Sequence, residues 1–188
     1  TRSNQKIHKY GQAADQNQLR FIPVIVSFAG EMHKGIKNLL REQISIRDLR
    51  TILEKLSDYS SLTQDPDVLT EYVRQGLARP ITKQYQSNDG TLSVITLDRG
   101  IEDAIEGSIQ RSETGAFLAL EPNVAERFLT RLKAMIEKIT PNIETSPVLL
   151  ASPGLRMHIR KFTERFLPDL VIISHSEIAS SVQIKNLG

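Results

Sequence analysis

The sequence has no cysteine, which excludes disulfide bridges, thiolate zinc sites and cysteine nucleophiles and is compatible with a reducing compartment. Tryptophan is also absent, and aromatic residues make up only 5%, too sparse for the base-stacking platform of a single-strand binder. An excess of one charge is missing as well: 24 Lys and Arg stand against 22 Asp and Glu, and a net +2 gives no electrostatic case for nucleic acid. No apolar run approaches the roughly 18–20 residues that span a bilayer. The start lacks the basic-then-apolar pattern of a secretion signal. The chain as given is therefore expected to be soluble, and its opening on Thr1 rather than Met suggests a piece excised from a longer protein.

What remains is ordinary globular composition, with 24% charged and 39% hydrophobic residues over 188 positions. That is enough chain for one good core, or for two small ones that share a seam. Residues 1–28 read as a polar, basic helix and an extended connection broken by Pro23. From residue 29 the spacing turns helical. Met32, Ile36, Leu39 and Leu40 share a face, with Gly35 inside that helix at a cost of about 1 kcal/mol relative to Ala. Ser45 is a natural N-cap for a helix whose apolar stripe runs Ile46, Leu49, Ile52, Leu53 and Leu56. Asp65 with Pro66 opens a third, burying Val68, Leu69, Tyr72, Val73 and Leu77. Residues 29–86 are thus expected to form a helical bundle.

Composition changes at Ser87-Asn88-Asp89-Gly90, a polar turn and a natural hinge, after which Leu92 to Leu97 reads as a β-branched strand. Asp98 opens a helix with Ile101, Ala104, Ile105 and Ile109 inward. A short strand at Ala116–Leu120 and a helix from Pro122 to Thr140 follow. The clearest unit is strand Pro147–Ala151, a helix from Pro153 capped by Ser152, and strand Leu170–Ser174, which implies a parallel pair with a crossover. Val182–Lys185 adds an edge strand. The fold class is mixed α/β: a helical subdomain followed by a small α/β subdomain, residues 87–188, with a parallel βαβ unit.

Chemistry is sparse. His8, His33, His158 and His175 show no metal-ligand spacing, so no metal site is expected. Ser152 lacks the preceding glycine of a hydrolase elbow and is followed by proline, which favours a helix cap. No phosphate-cradling glycine loop is present, no cofactor is expected, and Asp103 with Glu106 reads as a solvated helix face rather than an acid/base pair. The helix start at Ser152 and Gly154, with Arg156 one turn on, is a candidate anion site. It supports an alternative reading as a phosphate-binding regulatory module or small enzyme. Arg156, Arg160, Lys161 and Arg165 recur at helical spacing, and a solvated face balanced by Glu164 and Asp169 is the favoured account of them. With no catalytic constellation, the chain reads as a non-enzyme whose exposed parts are interaction surfaces.

The run from Asn38 to Glu54, Asn-Leu-Leu-Arg-Glu-Gln-Ile-Ser-Ile-Arg-Asp-Leu-Arg-Thr-Ile-Leu-Glu, resembles the helical signature of the FlhA family, the large export-gate subunit of bacterial flagellar and virulence type III secretion systems. Asp65-Pro66-Asp67 with Leu69–Arg74 resembles the family's next helix, and Leu92–Asp98 with Ile101-Glu102 its following strand and helix. Pro147–Leu150 with Leu155-Arg156, Leu167–Ser174 and Glu177-Ile178 resemble its C-terminal βαβ unit. The resemblance covers roughly residues 22–188; residues 9–21 and Gly35 depart from it. It implies the last two of four subdomains of a cytoplasmic domain, borne by an integral protein of the bacterial inner membrane and assembled as a nine-membered homo-oligomeric ring. The implied partners are export substrates, their chaperones and other export apparatus proteins. Arg47, Asp48 and Arg50 become candidate ring contacts, with capping and solvation of the bundle as the alternative, and Thr1 a candidate at the chaperone-docking rim. The stretch Asp65–Arg74 points to the flagellar branch, and the implied action is binding and conformational gating.

Overall fold

Strands rich in Val, Ile and Leu are built to be covered on both sides, and three such segments here pair in parallel, with a fourth, exposed Gln-Ile-Lys-Asn strand added at one edge. In the computed structural model, which describes residues 30, 32–112, 115–142 and 146–188, β1 (Thr91–Thr96), β4 (Val148–Ala151), β5 (Val171–Ser174) and β6 (Gln183–Asn186) form one sheet in the order β5-β4-β1-β6. The register pairs Ile95 with Leu149 and Leu149 with Ile172. Alternation along the strands sends Leu92, Val94, Val148, Leu150 and Ile173 to one face and Ile95, Leu149, Ala151 and Ile172 to the other.

Helices α1 (32–41), α2 (Leu49–Tyr59), α3 (Pro66–Gly76) and α4 (Ala78–Tyr85) cover the first face through Leu39, Ile52, Leu56, Leu69, Leu77 and Ile81. Helices α5 (Arg99–Gly107), α6 (Pro122–Ile139) and α7 (Pro153–Thr163) cover the second through Ile105, Phe128, Leu132, Leu155 and Ile159. A small antiparallel hairpin, β2 (Ile109–Ser112) and β3 (Gly115–Leu118), follows α5. One apolar cluster thus joins the helical segment before residue 86 to the sheet after it. Among the described residues no helix is long and apolar enough to cross a membrane.

Several local expectations are corrected. The second helix starts at Leu49, not at Ser45, because Asp48 accepts from Thr51 N (3.1 Å) and Thr51 Oγ1 (2.8 Å) and outcompetes the serine as cap. Its apolar stripe is wider than its buried face: Ile52 and Leu56 are buried, while Leu49 and Leu53 are exposed. Ile109 is not inside a helix; α5 stops at Gly107 and Ile109 opens β2. Ser152 holds the N-cap position of α7 but makes no side-chain cap, since its backbone N–H and its hydroxyl both donate to Glu102 Oε1 at 3.1 and 2.8 Å. Asp65, by contrast, caps α3 as expected, accepting from Asp67 N at 2.9 Å. Gly90 takes a left-handed φ of 86° in the turn ahead of β1, a conformation open to glycine at no steric cost. The expected helix and connection over residues 1–28 lie outside the described residues.

Candidate functional site

The most polar part of the interior lies beside the open edge of β5. Arg74 on α3 and Arg156 on α7 both reach Ile172 O of that strand, at 3.2 and 3.4 Å, supplying donors to a backbone acceptor that no neighbouring strand can satisfy. Around them stand three carboxylates. Glu177, in the short helix His175–Glu177, meets Arg74 at 2.5 Å, and Glu42, in the turn after α1, meets Arg74 at 2.9 Å and Arg156 at 2.6 Å. Glu71 on α3 pairs with Arg156 through both guanidinium Nε and Nη2. Both arginines are about 1% exposed. Four segments far apart in sequence are tied here by charge-assisted bonds.

Two guanidiniums face three carboxylates, so one negative charge is in surplus. Burial pushes Glu71 above its ordinary value of 4.5, against the pull of Arg156. Glu42 is also desolvated, but Arg156 and Arg74 together hold it below 4.5. Arg156 loses favour as a cation through burial and more than regains it from Glu71 and Glu42, ending well above its usual value. The two glutamates therefore leave opposite marks on stability. Glu42 adds stability that is fully present above 4.5 and is lost as pH falls through its depressed value; Glu71 binds a proton in the fold that it would release unfolded, so its contribution weakens as pH rises above 4.5. Urea unfolding between pH 3 and pH 7 is expected to show the cost of Glu42→Gln growing with pH and that of Glu71→Gln shrinking. Parallel pH profiles for the two variants would contradict this charge distribution.

This cluster corrects the expected anion site. Arg156 is not on a solvated stripe and does not join Ser152 and Gly154 to face an anion; its guanidinium is enclosed by Glu42 and Glu71, while Ser152 is engaged by Glu102. Arg160, half-buried, donates to Leu170 O at 2.7 Å and extends the sealing of the β5 edge, whereas exposed Lys161 pairs with Asp67. Burial of arginines on a helix that looks solvated from spacing is a tertiary effect. Glu42, Glu71 and Glu177 each have polar or charged neighbours in the sequence, such as Arg41, Thr70 and Ser176, so no local signal marked their convergence on Arg156.

Arg47, Asp48 and Arg50 are brought together at the start of α2, all exposed. Asp48 is lowered by its bonds from Thr51, and Arg50 is engaged by Glu54 at 2.8 Å. Between and beyond them Leu49 and Leu53, one helical turn apart, are 47% and 38% exposed. Exposed leucines framed by charges share the composition of an apolar centre with a polar rim, and sequence reading missed them by assigning both to the core. His33 and His175 are exposed, His158 is buried on α7, and the structure does not bring them together. Among the described residues no group of three His, Cys, Asp or Glu side chains is placed to hold a metal. Asp103 and Glu106 are exposed on α5. Thr1 and His8 lie outside the described residues.

This architecture is that of the cytoplasmic portions of type III secretion proteins. Over 93% of the chain it superposes on a nonameric SctV-C from EPEC with a TM-score of 0.75 and 27% identity, covering 53% of that chain. It also superposes on Chlamydia pneumoniae CdsV in complex with CdsO, with a TM-score of 0.76 and 32% identity over 93% of the chain and 51% of that one. The chain belongs to the FHIPEP family, whose pattern matches residues 7–183. It is 39% identical to the flagellar biosynthesis protein FlhA of Bacillus subtilis over 85% of its length, and 31% identical over 95% to low calcium response locus protein D of Yersinia pestis. It spans only 23% and 24% of those two proteins.

Proposed function

We propose that the chain is a ring-forming and docking portion of a type III export gate subunit, at the cytoplasmic face of the bacterial inner membrane. Export substrates and their chaperones are its cargo, and other export apparatus proteins its neighbours. The observation that carries this is the match of fold and sequence to the nonameric SctV-C over 93% of the chain. The higher identity to flagellar relatives supports the flagellar branch. Its work is binding and conformational gating, not bond making. Residues 29–86 and 87–188 serve as its two subdomains, and the start of α2 with Arg47, Asp48 and Arg50 supplies a ring contact centred on Leu49 and Leu53. The rim at Thr1 is the corresponding proposal for chaperone docking.

The ring contact is tested by mass photometry on the chain extended through the rest of its cytoplasmic part, with and without Leu49→Asp/Leu53→Asp. Placing two carboxylates at the centre of an interface is expected to raise the concentration needed for rings at least about tenfold, with far-UV circular dichroism unchanged because both sites are exposed. Unaltered rings would exclude this face.

A further inference from the structure

The α5–α6 face carries a feature that the ring reading does not use. Between these helices, above the end of β1, lies an open groove of about 530 Å³. Its α6 wall is a continuous helical stripe of Val124, Phe128, Leu132 and Met135, flanked on one side by Arg127 and Arg131. Opposite, Ile101 and Ile105 line α5 together with Gly100 and Ala104, and Ile95 and Leu97 form the floor. Several of these apolar side chains, including Leu97, Ile101, Val124 and Met135, are only partly buried. A Cβ added at Gly100 would meet nothing within 4 Å. Two helical walls, spaced at i, i+4 and with small residues on one of them, leave room for a third helix to approach closely.

Charge selects the occupant. Arg127 and Arg131 are exposed and one turn apart, and among the described residues neither has an ion-pair partner; Arg127 Nε only contacts Asn123 O, at 3.3 Å. Among the described side chains that line the groove, Asp98, at the start of α5, carries the sole carboxylate. We propose that this groove docks an acidic amphipathic helix of a partner protein, with apolar anchors at i, i+4 and i+7 in the groove and carboxylates flanking them to meet Arg127 and Arg131. The inference rests on the docking reading and names a surface and a partner chemistry for it, separate from the α2 ring contact.

The probe is a fluorescein-labelled 18-residue helical peptide with leucines at that spacing and glutamates on the flanks, compared with the same peptide carrying lysines in their place. Anisotropy titrations with the folded chain are expected to give affinity about tenfold higher for the glutamate peptide, weakened by salt. Arg127→Glu/Arg131→Glu is expected to invert the preference, and Ala104→Trp, which fills the groove at an exposed position, to abolish binding of both peptides. Ring formation by the extended chain is scored in parallel and is expected to persist in Ala104→Trp; if the unsubstituted chain binds the glutamate peptide while the unsubstituted extended chain forms no rings, the ring reading fails and this one stands. Equal affinity for the two peptides, binding insensitive to Ala104→Trp, or no binding by the folded chain would overturn the proposal. So would sedimentation showing that a second copy of the chain occupies the groove, as self-association lost in Ala104→Trp.

Discussion

Arg156→Ala is expected to destabilise the protein by about 3–5 kcal/mol, the cost of stripping one partner from a buried charge cluster. Truncation leaves Glu71 without its guanidinium and three carboxylates around Arg74 alone. It also removes a donor from Ile172 O on the open strand edge. The measurement is the urea midpoint at pH 7. Adding Glu71→Gln to Arg156→Ala is expected to recover part of the loss, because it removes the carboxylate left in surplus; a strictly additive double variant would show that the two side chains do not interact. Arg50→Ala provides the contrast: its pair with Glu54 is solvent-exposed, and no measurable shift is expected.

The second large effect is expected at Leu92→Ala, at about 2–5 kcal/mol. Leu92 is 0% exposed on β1 and belongs to the cluster that also holds Leu39, Ile52, Leu69, Leu77 and Ile81 of the helical segment. A cavity at that position is shared, so it should loosen the helices and the sheet together. Native-state hydrogen exchange is the discriminating readout. Slowly exchanging amides of α3 and of β4 are expected to lose protection by similar amounts; loss confined to α3 would mean that the helical segment opens on its own.

Much of this architecture was legible because its signals are local. Pro66 after Asp65, Pro153 after Ser152, the β-branched runs at β1 and β5 and the short apolar run at β4 mark element starts and types without reference to anything distant. The parallel βαβ unit follows from a strand, a helix and a strand in so short a span. The misses are either local competitions between two plausible signals or places where distant residues decide. Asp48 displaces Ser45 as a cap because its carboxylate satisfies both Thr51 donors. Leu49 and Leu53 are turned outward because the sheet offers α2 only the face of Ile52 and Leu56. Arg156 is buried because Glu42, Glu71 and Glu177, from three other segments, converge on it. The hairpin after Gly107 was hidden because Ile109 continues the helical spacing of Ile101 and Ile105. A groove such as the one between α5 and α6 is a property of how two helices diverge over a sheet, which no single stretch of sequence encodes.

The export-gate account is tested most directly by replacing the 159-residue stretch of Bacillus subtilis FlhA that aligns with this chain by the present sequence, then measuring flagellar filament protein in the culture medium. The account predicts that the chimera accumulates normally and exports filament protein, and that Leu49→Asp/Leu53→Asp in the inserted segment abolishes that export. A chimera that accumulates normally yet exports nothing, or one whose export ignores the α2 substitutions, would contradict it.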